Sequence, residues 1–374
     1  MFRDAGQYLG DDRGGQAGGE QAADAAYGPD VRFGVFPVPT GQPPGRQQAL
    51  LLVVAQQPFM DAGAAHHLLH LHRKVPLSPR LRSPHRAGNL TLTLMSEFSV
   101  LGMASEHAVI DQVIDQDLDV YVQGDGPALL LAHGAGGGIE GNFGLVLDDL
   151  ARDHTLIGPH YPGAGRSPVA TAPLDLDDLA DRLVAAAVSR GHERFAVLGE
   201  SLGTTVAVRA ATRHPHRVTA LVLTAGFPVA DPVLAFAAQL VKTLWTAGER
   251  EALARFAFLA CAAESQLQGL SPEDVDAAAA QVLAAMPPGM RDHFDLVSRV
   301  DVRADLPQVQ APTLVVAPLG DRLVLPGSSR RLADGIPDAR LVELPGAGHI
   351  LAAEDRVTWL RHTRELLATV ASRG

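Results

Sequence analysis

Phe195-Ala196-Val197-Leu198-Gly199-Glu200-Ser201-Leu202-Gly203-Thr204 is the stretch on which the reading of this chain turns. Phe195–Leu198 is a short, continuous apolar run, as expected of a strand buried on both faces. The run Thr204–Arg213 behind it is amphipathic with helical spacing. Between them, Gly199 and Gly203 stand two residues either side of a serine, so strand must pass to helix through a sharp turn that tolerates only small neighbours. Such a turn pushes the Ser201 hydroxyl out above the sheet. It also places it at a helix amino terminus, where developing negative charge is favoured.

Outward from this turn the same grammar repeats. Ala128–Ala132, Thr155–Gly158, Ala220–Thr224, Thr313–Ala317 and Arg340–Leu344 are further short apolar runs, with amphipathic segments such as Leu174–Ser189 between them. Ala108–Gln112 and Leu118–Gln123 read as a short antiparallel pair turned near Asp115–Asp117. The expectation is an α/β fold: a mostly parallel eight-stranded sheet with helices on both faces and its active site at the carboxyl ends of the strands. One interval breaks the alternation. After the sixth strand, about residues 228–306 read as helices alone, one of them opened by the cap Ser271-Pro272-Glu273-Asp274. Phe236, Trp245, Phe256, Phe258, Met286, Met290 and Phe294 lie in this interval, as in a helical lid over the site, although each one singly also fits ordinary core packing.

A serine hydroxyl needs a base to become a nucleophile. His133, His154, His160 and His192 are candidates, but His349 lies in Pro345-Gly346-Ala347-Gly348-His349, directly after the last strand and at the carboxyl edge. Asp321 follows the strand Thr313–Ala317 across the short turn Pro318-Leu319-Gly320 and emerges at the same edge; Asp301 and Asp305 precede that strand. A carboxylate there can orient the imidazole and stabilise its cation. The chain order Ser, Asp, His is the one expected when this triad is built on such a sheet. The run His133-Gly134-Ala135-Gly136-Gly137-Gly138 follows the strand Ala128–Ala132. Its Ala135 amide, with that of Leu202, is placed to form a two-donor oxyanion hole, while His133 and Gly134 brace the loop and Gly199 and Gly203 the turn. A phosphate loop is excluded, because no Gly-Lys-Ser/Thr follows. Cys261, in the apolar run Phe256–Ala263, reads as a small buried residue rather than a nucleophile.

With these motifs in place, residues 106–368 resemble the alpha/beta-hydrolase superfamily. The resemblance rests on His133-Gly134, the turn Pro162-Gly163-x-Gly165-x-Ser167, the Gly199-x-Ser201-x-Gly203 elbow, Gly320-Asp321, and Gly348-His349 with Glu354 beyond it. It implies Ser201 as nucleophile, Asp321 as orienting acid, His349 as base, and a lid after the sixth strand. Many relatives carry a turn-bracing Asp where this chain has His160, and often a His where it has Glu200. The reaction expected is cleavage of a carboxylic ester or lactone through an acyl-enzyme, with no cofactor or metal and a small to medium, partly apolar acyl substrate. Carbon–carbon bond hydrolysis, a cofactor-free perhydrolase and acyl transfer share the fold and triad. A non-catalytic ligand receptor is the reading from another class.

Composition bounds the rest. The 374 residues include 42 acidic and 31 basic ones, a net charge of −11, with 47% hydrophobic residues and a single cysteine. That balance argues against nucleic acid as a partner, and one cysteine permits no internal disulfide. The first thirty residues lack the basic-then-apolar order of a secretory signal, and the longest early apolar stretch, Ala49–Ala55, is too short for a membrane span. A cytoplasmic protein is expected, its oligomeric state not read from sequence. Residues 1–102 are Gly/Ala/Pro-rich without lasting periodicity and read as a low-order extension; the hydrolase domain is 103–374, and Met95 and Met103 are candidate starts. His66 and His70 have i, i+4 spacing but no third ligand, which fits a solvated tract rather than a metal site.

Overall fold

The computed structural model describes residues 118–372. The expected extension 1–102, the strand Ala108–Gln112 and the His66–His70 pair lie outside the described residues. Seven strands form one sheet in the order β1-β3-β2-β4-β5-β6-β7. They are β1 (Val120–Gln123), β2 (Ala128–Ala132), β3 (Thr155–Pro159), β4 (Phe195–Glu200), β5 (Val218–Thr224), β6 (Thr313–Pro318) and β7 (Ala339–Leu344). All pairings are parallel except β1 with β3, where Val120 faces Pro159 and Gln123 faces Leu156. Where eight strands were expected, seven are seen among the described residues, and the antiparallel partner of β1 within them is β3.

Every residue of β2, β3, β4 and β6 is buried, which is why these strands read as unbroken apolar runs. Alternate side chains feed two cores. Leu130, Val197 and Leu221 face one side, with Leu183 and Val206. Leu129, Leu131 and Leu198 face the other, with Phe143, Leu150 and Trp359. The first core is covered by α3 (Leu176–Val188) and α4 (Leu202–Arg213), the second by α1 (Ile139–Phe143), α2 (Leu147–Leu150) and the carboxyl-terminal helix, which runs from Ala353 to Ala371. Asp175 fixes the start of α3 by accepting the amides of Asp177 and Asp178.

Between β5 and β6 the chain is helical: α5 (Pro232–Ala247), α6 (Arg250–Cys261), α7 (Glu264–Leu267), α8 (Pro272–Ala285) and α9 (Met290–Val297). Asp231 caps α5 with Pro232 in its first turn, and Gly248 closes it at φ +79°, a conformation glycine adopts without strain. Ser271 and Asp274 form the reciprocal cap of α8 read from the sequence. α8 packs on α6, and α9 on α5. The helix α10 (Pro326–Gly335) then joins β6 to β7, and α11 (Ala353–Ala371) ends the described chain. Among the described residues no helix is long and apolar enough to cross a membrane.

Candidate active site

β4 delivers Ser201 to the carboxyl edge in a conformation few side chains adopt, φ +53° and ψ −120°. Such a backbone costs about 1–3 kcal/mol and persists only where its surroundings over-determine it. Here the Ser201 amide donates to Thr224 O at 3.0 Å, and the Ser201 carbonyl accepts from the Thr204 amide at 3.0 Å and the Thr204 hydroxyl at 2.7 Å. The flanking glycines are required by space. A Cβ on Gly203 would stand 1.9 Å from Ala132 O, and one on Gly199 2.5 Å from Gly203 O.

Asp321 and His349 are in direct contact. His349 Nδ1–H donates to Asp321 Oδ2 at 2.7 Å, with both residues buried. The other carboxylate oxygen, Oδ1, accepts the amides of Leu323 at 2.9 Å and Val324 at 2.8 Å, so the carboxylate cannot rotate without losing two bonds. The two loops are tied together by Gly320 N–H to Ala347 O at 2.8 Å. Burial pulls the His349 pKa down, but the charge and hydrogen bond of Asp321, joined by the charge of Glu200, outweigh it and leave it raised. A carboxylate can only accept, so the proton sits on Nδ1 and Nε2 is free to act as a base. Ser201 stands at the same edge, two strands from Asp321, with no hydrogen bond to His349 among the described residues. Catalytic hydrogen bonds are often long without substrate and tighten once it binds.

The glycine loop after β2 lies against the elbow: a Cβ on Gly134 would be 3.2 Å from Ser201 Cβ. Ala135 N–H and Leu202 N–H have no acceptor among the described residues. His133 is fully buried and ties this loop to the turn after β3. Its Nδ1–H donates to Gly134 O at 2.8 Å, its Nε2 accepts Tyr161 N–H at 2.9 Å, and its ring stacks on Tyr161 at 3.8 Å. Burial, with the nearby His293, holds its pKa well below the usual imidazole value.

Four residues near the site were not legible in the sequence motifs. His293, on α9, accepts Gly136 N–H at Nδ1 (3.1 Å) and donates from Nε2 to Pro162 O (2.9 Å), clamping the helical insertion to the glycine loop. Its pKa is lowered by burial. Asn142 and Arg356 surround Glu200 behind the elbow. Asp119, just before β1, braces the turn Pro162–Ser167. It accepts Arg166 N–H at 3.0 Å and pairs with the Arg166 guanidinium at 2.7 Å. His160, where many relatives have the bracing Asp, instead places its Nε2 3.5 Å from Glu140 Oε2.

The insertion also reaches the His349 loop. Ile350 N–H donates to Cys261 O at 3.1 Å, and a Cβ on Gly348 would stand 2.4 Å from Ala263 N. The Cys261 thiol is pushed up to about 12 by burial, with the charge of Asp321 adding, so it carries no thiolate near neutrality. A groove of about 310 Å³ lined by Pro312, Thr313, Asp338 and Arg340 lies at the opposite, amino edge of the sheet and does not bear on this chemistry.

Comparison with known proteins places this geometry in a family. A sequence profile for the alpha/beta hydrolase fold matches residues 127–355, more than half of the chain. A pyrrolizixenacetamide deacetylase of Xenorhabdus hominickii is 26% identical over 262 residues, 68% of this chain and 96% of its own. A pimeloyl-[acyl-carrier protein] methyl ester esterase of Chromobacterium violaceum is 30% identical over 268 residues, 68% of this chain and all of its own. Among solved structures, a thermophilic esterase from Thermogutta terrifontis superposes with a TM-score of 0.59 at 24% identity, covering 68% of this chain and 93% of its own; at that identity the likeness speaks for the fold alone. Profile, relatives and sheet topology agree, and the chain belongs to the alpha/beta hydrolase fold family.

Proposed function

We propose that the protein is a serine hydrolase that cleaves a carboxylic ester or lactone through an acyl-enzyme. The observation that carries this reading is the 2.7 Å bond from His349 Nδ1–H to a carboxylate pinned by two amides, at the sheet edge where Ser201 is held strained. His349 Nε2 takes the Ser201 proton as Oγ attacks the carbonyl, and the oxyanion is met by the Ala135 and Leu202 amides. The same imidazole passes the proton to the leaving alkoxide, which departs as an alcohol. It then deprotonates a water that attacks the acyl-enzyme, releasing the acid and restoring Ser201. The helical insertion α5–α9 acts as the lid, its apolar residues shaping a pocket for a partly apolar acyl group.

Amide cleavage is the second reading, favoured by the likeness to a deacetylase. Hydrolysis of p-nitrophenyl esters of increasing acyl length, aliphatic lactones and a matching p-nitroanilide, with Ser201→Ala as control, separates the two. Ester or lactone turnover that vanishes in the control supports the first reading. Turnover confined to the anilide moves the assignment to amides. Fluorophosphonate labelling of Ser201 without turnover of any substrate overturns both and moves the assignment to carbon–carbon cleavage or acyl transfer.

A further inference from the structure

A buried charged pair behind the elbow has no part in the reaction written above. Glu200 and Arg356 are each 3% exposed. Glu200 Oε1 accepts from Arg356 Nη1 at 2.5 Å, Glu200 Oε2 accepts from Asn142 Nδ2 at 3.2 Å, and Arg356 Nη2 donates to Asn142 O at 2.6 Å. Asn142 Oδ1 in turn accepts Gly134 N–H at 3.2 Å. Three distant segments therefore meet: the elbow, the helix α1 and the first turn of α11. A buried ion pair is weak grounds for stability, since apolar packing of the same volume often does as well. What it provides here is direction. A carboxylate only accepts, so Asn142 must turn its NH2 towards Glu200, which leaves its carbonyl oxygen facing Gly134.

We propose that Glu200 is a positioning residue: its carboxylate, held by Arg356, fixes the Asn142 amide and through it the glycine loop that presents the Ala135 N–H to the oxyanion. The inference rests on the serine-hydrolase reading. Gly134 adjoins Ala135 and lies against Ser201, so a loose Gly134 amide displaces the donor where the charge forms. The charge of Glu200 also acts on His349, and with that of Asp321 from the β6 loop it favours the protonated imidazole; Cys261, on α6, meets the His349 loop through its carbonyl.

Two variants test this on the full chain with a p-nitrophenyl ester that the parent hydrolyses. Asn142→Ala leaves the ion pair intact and frees Gly134. Its kcat is expected to fall about 10–100-fold, short of the loss on deleting an oxyanion donor outright, with KM within about threefold, because the oxyanion exists only in the transition state. Its acid limb stays in place. Glu200→Gln keeps the shape but must turn an NH2 towards either Asn142 or Arg356. The same kcat loss is expected, and the acid limb of kcat/KM moves to lower pH, because His349 loses a neighbouring negative charge. Full kcat in Asn142→Ala overturns the inference. So does an unmoved acid limb in a folded Glu200→Gln, and if Glu200→Gln fails to fold, Asn142→Ala decides. Ser201→Ala in parallel separates the two readings: turnover lost there but kept in Asn142→Ala removes the positioning role alone, whereas turnover kept in Ser201→Ala removes the serine mechanism.

Discussion

Replacing Asp321 by asparagine changes one atom and is expected to strand His349 in the wrong tautomer. The carboxylate oxygen that accepts Leu323 and Val324 N–H must remain an acceptor, so the new NH2 is forced towards His349 Nδ1. Nδ1 then has to accept, the ring proton moves to Nε2, and the nitrogen that the proposed mechanism uses as base can no longer take a proton. Rotating the amide would restore the productive tautomer but leave two buried N–H groups unpaired, at about 1–3 kcal/mol each. A penalty of about 2–6 kcal/mol corresponds to a rate loss of ~30-fold to ~20,000-fold from the tautomer alone. The missing charge, which stabilises the imidazolium, adds to it, so kcat/KM on a p-nitrophenyl ester is expected to fall about a thousandfold or more. His349 must be neutral to act as base, and Asp321 raises its pKa; the residual activity of Asp321→Asn therefore has its acid limb at lower pH than the parent. The melting temperature changes little, since both backbone bonds survive. A loss below tenfold in a folded variant, or an acid limb that stays or moves up, refutes the reasoning.

Three further outcomes follow from geometry already described. Ser201→Ala is expected to abolish turnover while keeping the positive φ, and Ser201→Gly to abolish turnover while relieving the strain; glycine at 201 is expected to be the more stable of the two by about 1 kcal/mol in a chemical denaturation series, and the reverse order would deny the strain. Gly203→Ala places a methyl 1.9 Å from Ala132 O and is expected to cost about 3 kcal/mol or more, read as a lowered melting temperature or insoluble protein; a parent-like melting curve contradicts the packing. Burial lowers the pKa of His133 and His293, so the stability they contribute is present above the unfolded imidazole value of about 6.5 and is lost as pH falls below it. His293→Gln is therefore expected to cost about 1 kcal/mol at pH 7.5 and less at pH 5.5, and an equal cost at both would show that folding does not lower the imidazole's pKa.

What the sequence disclosed follows from where the chain is uniform. β2, β3, β4 and β6 are buried from end to end, so their apolar runs needed no partner to be recognised. The turn at Ser201 was legible because steric demand at Gly199 and Gly203 is local. Asp321 and His349 were placed by chain order, since both follow strands that end at one edge. The short β1 is only half buried, and nothing in its sequence says that it lies beside β3. The bonds that join Glu200, Asn142 and Arg356 escaped for another reason. They join residues 58, 156 and 214 positions apart, and buried polar groups interrupt the periodicity by which elements are read. His293 sits in a helical interval whose fold position the sequence did not fix, and its clamp on Gly136 spans 157 positions.

The attachment of α11 to the elbow bears on the order in which the protein comes into being. Ser201 and the glycine loop leave the ribosome well before His349 and Arg356, His349 lying 148 positions after Ser201. At about 5–20 residues per second, that interval is roughly 7–30 s. Throughout it the nascent chain carries Ser201 without His349, the base of the proposed mechanism, and Glu200 without the guanidinium of Arg356. On the serine-hydrolase reading proposed above, the growing polypeptide stays chemically silent until α11 closes on the sheet. On that reading, reactivity waits for the docking of α11.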